Sequence, residues 1–232
     1  MTQNVHEIDY ELIGEEMQFV KIELDPEESV IAEAGALMYM EDGISMETVF
    51  GEDSKSERGL LGKFLGAGKR VLTGESLFMT VFTNIGQGKK HVSFASPYPG
   101  KIISMDLSEL NGRIVCQRDA FLCAAKGVSI GIDFQKKNRS RVLRREGFIM
   151  QKIEGDGFTF VHAGGTIEEK ELEEGEKLRV DTGCLVAITG NIDYDVQFVS
   201  GVKTALFGRE GLFMATLQGP GKFGCNLYLS AG

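Results

Sequence analysis

An all-β fold made of three tandem copies of one antiparallel unit is what this chain predicts, on three observations. The segment GESLFM at Gly74 to Met79 returns as REGFIM at Arg145 to Met150 and as REGLFM at Arg209 to Met214. Upstream of each lies a second recurring block: AGALMYMEDGIS from Ala34, RDAFLCAAKGVS from Arg118 and TGCLVAITGNID from Thr182. The spacings also agree. Ala36, Ala120 and Cys184 stand 84 and 64 residues apart, and Glu75, Glu146 and Glu210 stand 71 and 64 apart, so two separate anchors share the second step. Periods beyond about 50 residues exceed the usual solenoid repeat, which predicts three fused modules in one compact unit rather than a stacked array. Their expected bounds are 1–99, 100–163 and 164–232.

The elements follow in order. Asp25-Pro26-Glu27-Glu28 in the first copy and Glu173-Glu174-Gly175-Glu176 in the third have turn chemistry, since Pro and Gly there stop a helix. Leu37 to Met40, followed by Asp42-Gly43 and then Ile44 and Met46, predicts a hairpin with short arms. Asn191 stands where the first copy has Gly43, and both residues tolerate positive φ. The stretches 50–75, 134–146 and 198–210 are the least strand-like, and a short helix or irregular connection is expected in each. Beyond them, Phe78, Thr80 and Phe82 alternate as one face of a half-buried antiparallel strand, as do Val92 and Phe94. Gly86-Gln87-Gly88, Gly155-Asp156-Gly157 and Gly219-Pro220-Gly221 mark the turns between such runs.

At 232 residues the chain is long enough to bury a core without staples. No run approaches the roughly 18 apolar residues of a membrane span. The acidic start has no signal-type apolar region, and Cys116, Cys123, Cys184 and Cys225 form no C-x-x-C pair. Buried reduced thiols and a cytoplasmic location are the expectation. The net charge of −9 opposes general nucleic-acid affinity, because phosphate contacts need a surplus of Lys and Arg.

No catalytic, cofactor or metal constellation emerges. Gly66-Ala67-Gly68-Lys69 fails the phosphate-loop pattern at Lys63 and Arg70. His6, His91 and His162 lack clustered metal spacing, and the latter two are expected as exposed strand residues. Three groups carry what binding chemistry there is. Gly59 to Val71, special to the first copy, mixes Leu60, Leu61, Phe64 and Leu65 with Lys63, Lys69 and Arg70, which suits a membrane-surface or protein interface or a helix covering the sheets. Lys136, Lys137, Arg139, Arg141, Arg144 and Arg145 form an acid-free run open to a polyanion or to solvent alone. The repeated Glu75, Glu146 and Glu210 are expected to be structural carboxylates, with a shared cation as the alternative.

The combination of AGALMYM, the Gly-rich stretch 59–68 and LTGESLFMTVF resembles a family of bacteria and mitochondria whose eukaryotic branch is named for altered inheritance of mitochondria. The resemblance covers essentially the whole chain. It implies tandem β modules similar to the subunit of the tryptophan RNA-binding attenuation protein, of β-sandwich or double-stranded β-helix type, assembled as a homotrimer. It supplies no catalytic residues. The leading functional expectation is a non-catalytic oligomeric scaffold or binding protein, with a membrane surface or a protein as partner. A nucleic-acid module using 136–145, and a small-ligand binder or enzyme with a pocket between modules, are the alternatives.

Overall fold

The computed structural model describes residues 8–33, 35–50, 78–133, 148–199 and 212–226, and in them the chain is nearly all antiparallel strand. The first third holds β1 (Asp9–Ile13), β2 (Phe19–Leu24), β3 (Ser29–Glu33), β4 (Leu37–Met40), β5 (Ile44–Phe50), β6 (Phe78–Asn84) and β7 (Lys90–Ala95). The middle holds β8 (Lys101–Asp106), β9 (Arg113–Gln117), β10 (Phe121–Ala125), β11 (Ser129–Ile132), β12 (Met150–Glu154) and β13 (Phe158–Ala163). The last holds β14 (Ile167–Leu172), β15 (Lys177–Asp181), β16 (Leu185–Thr189), β17 (Asp193–Val199), β18 (Leu212–Gln218) and β19 (Gly221–Asn226). The described helical pieces are 3-10 turns at Leu107–Leu110, Arg118–Ala120 and Thr182–Cys184.

Setting β1 aside, the strands fall into three sixes with one pairing scheme. The first strand of each six pairs with the sixth, the third with the sixth, the second with the fifth, and the fourth with the fifth. In the first copy these are β2–β7, β4–β7, β3–β6 and β5–β6. In the second they are β8–β13, β10–β13, β9–β12 and β11–β12. In the third they are β14–β19, β16–β19, β15–β18 and β17–β18. Successive copies are then joined edge to edge, second strand to third, as β3–β10 and β9–β16. Two six-stranded sheets result, β5-β6-β3-β10-β13-β8 and β11-β12-β9-β16-β19-β14. Two partial sheets remain, β1-β2-β7-β4 and β15-β18-β17.

One local expectation is overturned. Leu37 to Met40 and the strand after Asp42-Gly43 are not a hairpin: β4 pairs with β7, while β5 pairs with β6 in a different sheet. The turn carries the chain between layers, and Gly43 supplies its φ of 92°. Its carbonyl accepts a 2.9 Å bond from the Ile85 amide, which fixes it beside the turn between β6 and β7. That second turn also crosses between sheets. The two layers close on an apolar core in which Val30 and Phe82 of one sheet meet Ile22, Val92 and Phe94 of the other. The Phe82 and Phe94 rings meet edge to face at 5.2 Å. Further cores run across the joins: Val186 and Ala187 of the third copy pack with Ile114, Cys116 and Ile130 of the second.

Candidate functional site

All sixteen residues singled out by the sequence lie outside the described residues. These are Leu60, Leu61, Lys63, Phe64, Leu65, Lys69 and Arg70; Lys136, Lys137, Arg139, Arg141, Arg144 and Arg145; and Glu75, Glu146 and Glu210. The expected short connections at 50–75, 134–146 and 198–210 fall, but for their flanks, outside them too. What is described is where the chain leaves and returns. In every copy it does so at the end of the fourth–fifth strand pair, at Phe50↔Phe78, Ile132↔Gln151 and Val199↔Leu212. The three segments therefore hang from equivalent points of the three copies, although their lengths and compositions differ.

On the first copy a charged cluster covers β2 and β7. Lys89 bonds Glu23 and lies 3.5 Å from Asp9 and 4.0 Å from Asp25. The His91 ring is held between Glu23 Oε2 at 3.2 Å and Glu41 Oε1 at 3.0 Å, and its amide donates to Glu41 Oε2 at 3.1 Å. The hydrogen bond from Lys89 holds the Glu23 carboxyl below the usual range, and the bond to His91 does the same for Glu41. These groups stand in solvent, so they order strand ends more than they stabilise the fold. At the join of the second and third copies, Arg113 Nη2 donates to Asp133 Oδ1 at 3.1 Å, and Tyr194 OH donates to Asp133 Oδ2 at 2.8 Å. Arg113 and Asp133 belong to one copy and Tyr194 to the next, so this is a lock between modules.

Three polar features are interior. Gln151 is fully buried and neither amide atom has a partner. Cys116 and Cys123 are buried, and burial pushes the Cys116 thiol up to about 12, which makes it a poor nucleophile. His162, expected on the surface, is buried with Nε2 unpartnered, because Gly100 lets the backbone approach its ring. An open groove of about 550 Å³ nearby is lined by Glu16, Pro99, Gly100, Lys101, Gly165, Thr166 and Ile167. Its lining contains no His, Cys or Ser. Among the described residues no three His, Cys, Asp or Glu side chains gather as metal ligands.

Burial lowers the pKa of His162, and a backbone hydrogen bond with Tyr98 opposes this only in part. The folded ring therefore stays neutral at a pH where the unfolded ring, with its ordinary value near 6.5, takes up a proton. Stability is full above that unfolded value and is lost as pH falls from it toward the folded value. Urea unfolding at pH 7.5 and 5.5 is expected to show a smaller loss for His162→Gln than for the parent. An equal loss in both would remove His162 as the cause.

A family model described as Mitochondrial biogenesis AIM24 matches residues 10–226. The chain belongs to the AIM24 family. It is 27% identical over 213 residues to an uncharacterised protein of Streptococcus pyogenes serotype M6, covering 90% of this chain and 82% of that one. The X-ray structure of a protein from Streptococcus pyogenes superposes with a TM-score of 0.72 over 95% of this chain and 94% of the other, at 22% identity. At that identity the likeness is one of fold, and it extends over nearly the whole length of both chains.

Proposed function

We propose that this AIM24-family chain is a non-catalytic scaffold or binding protein, assembled as a homotrimer, that works at an anionic membrane surface from the cytoplasmic side. The observation that carries this reading is a partition of charge. The three segments hung from the fourth–fifth strand pairs, 51–77, 134–147 and 200–211, hold 13 of the 25 Lys and Arg but only 6 of the 34 Asp and Glu. They total +7, and the rest of the chain totals −16. Of the +7, +5 lies in 134–147 and +1 in each of the other two, and beside an acidic body these segments favour the contact, since each cation near an anionic leaflet contributes about 1 kcal/mol. Leu60, Leu61, Phe64 and Leu65 add apolar area that can enter the headgroup region. A multimer strengthens weak contacts further by presenting several at once. A cytoplasmic setting agrees with four cysteines that stay as thiols.

Flotation of the purified chain with phosphatidylserine-containing and with neutral vesicles, at low and high salt, tests this. The expected result is salt-sensitive flotation with the anionic vesicles, lost on deletion of 59–71. Absence of flotation with either vesicle sinks the membrane reading. Salt-sensitive retention of an RNA or DNA oligonucleotide, abolished by neutralising Lys136 to Arg145, would put the nucleic-acid reading in its place.

A further inference from the structure

The rule that joins the copies is left unfinished at both ends of the chain. Each join sets the second strand of one copy against the third strand of the next in a single register. In the first join Ala32, Ile31 and Val30 face Cys123, Ala124 and Ala125. In the second join Cys116, Val115 and Ile114 face Ala187, Ile188 and Thr189. Counting from the repeated block, these are the same positions in both. The second strand of the third copy is β15 and the third strand of the first copy is β4. Each ends its own sheet, so the partial sheets β17-β18-β15 and β4-β7-β2 are the two halves of a six-stranded sheet.

Burial points the same way. Met38, Tyr39, Met40 and Met46 of the first copy are 54%, 43%, 38% and 50% exposed. Their counterparts in the second copy, Leu122, Cys123, Ala124 and Ile130, are at most 4% exposed, and in the third, Val186, Ala187, Ile188 and Tyr194, at most 8%. A neighbouring strand covers the repeated block in the second and third copies, and among the described residues only the first copy lacks that neighbour. A bare apolar edge strand is the kind that natural sheets pair or protect.

We infer that the occupant is a second copy of this chain: β15 of one copy pairs antiparallel with β4 of the next, completing a third six-stranded sheet between molecules. The register follows from the two joins. Tyr39 faces Val180 of the next copy, Met40 faces Arg179 and Glu41 faces Leu178. Charges agree, because Glu41 and Asp42 on one edge then lie among Lys177 and Arg179 on the other. Such a contact is heterologous, head to tail, and yields a closed ring when the repeated rotation returns on itself. The inference rests on the oligomeric part of the proposed function and is independent of the membrane part.

Two proteins whose four native cysteines are replaced by alanine and whose circular dichroism matches the parent, one carrying Tyr39→Cys and the other Val180→Cys, mixed at micromolar concentration and oxidised with a disulfide reagent such as oxidised glutathione, test it. The expected product is a disulfide-linked pair formed in the mixture and in neither protein alone, with Tyr39→Cys plus Leu178→Cys giving far less. A second arm uses charge. Met40→Arg sets like charges opposite each other across the joint and is expected to weaken association tenfold or more in light scattering. Adding Arg179→Glu restores it, and the circular dichroism of both variants stays that of the parent. A monomeric parent at micromolar concentration, or an oligomer that gives no cross-link at 39/180 and ignores Met40→Arg, overturns the joint. Since neither arm uses lipid, loss of flotation with the joint intact would count against the membrane reading alone.

Discussion

Asn84→Leu is expected to lower the unfolding free energy by about 2–4 kcal/mol: the buried Leu24 carbonyl is left bare at about 1–3 kcal/mol, and the Gly88 carbonyl and part-buried Gly86 amide lose bonds worth about 0.5–1.5 kcal/mol each. Asn84 is fully buried at the end of β6. Its Nδ2 donates to the Leu24 carbonyl at 2.9 Å and to the Gly88 carbonyl at 2.8 Å, and its Oδ1 accepts from the Gly86 amide at 3.0 Å. Its backbone meanwhile donates to the Glu28 carbonyl at 3.0 Å and accepts from the Glu27 amide at 2.8 Å. One side chain thus ties the turn between β6 and β7 to the turn between β2 and β3. The corresponding positions in the other copies are Gly155 and Gly219, whose amides donate to Gly112 and Glu176 in the same way. Their turns are shorter and need no side chain to fill them. A Cβ at Gly219 would lie 2.3 Å from the Glu173 carbonyl oxygen. Chemical denaturation followed by circular dichroism measures the loss. A change under 1 kcal/mol would mean the amide is not holding the turns.

Phe82→Ala is the second large effect, at about 3–5 kcal/mol for a fully buried aromatic ring. Phe82 and Phe94 come from facing sheets and share one contact, tilted at 72°. Removing the first ring leaves a cavity between layers whose walls are paired strands and cannot collapse into it. A double-mutant cycle with Phe94→Ala is expected to show coupling of about 0.5–1.5 kcal/mol, the range for such ring pairs. Additive losses would place the two rings in separate environments. The denaturant midpoint should move with little change in slope, because the surface exposed on unfolding is almost unchanged.

The sequence by itself determined the all-β class and the threefold recurrence. Turn residues and period-2 alternation are local signals, and copies at a fixed spacing need no knowledge of contacts. It also located the joining block, since AGALMYM, RDAFLCA and TGCLVAI align without gaps. It missed the partners of those strands. A Gly-containing turn such as Asp42-Gly43 looks alike whether the chain returns beside its own strand or crosses to the facing sheet, and only the distant pairing with β7 decides. The surroundings of His91 and His162 were hidden for the same reason: one ring is held between carboxylates from β2 and from beyond β4, the other is buried under Gly100. Tertiary structure likewise gave Met38, Tyr39 and Met40 their meaning. In sequence they are one more apolar block, buried in two copies of three. Their exposure comes from an edge with no neighbour among the described residues, and an edge is a property of how strands are ordered in space.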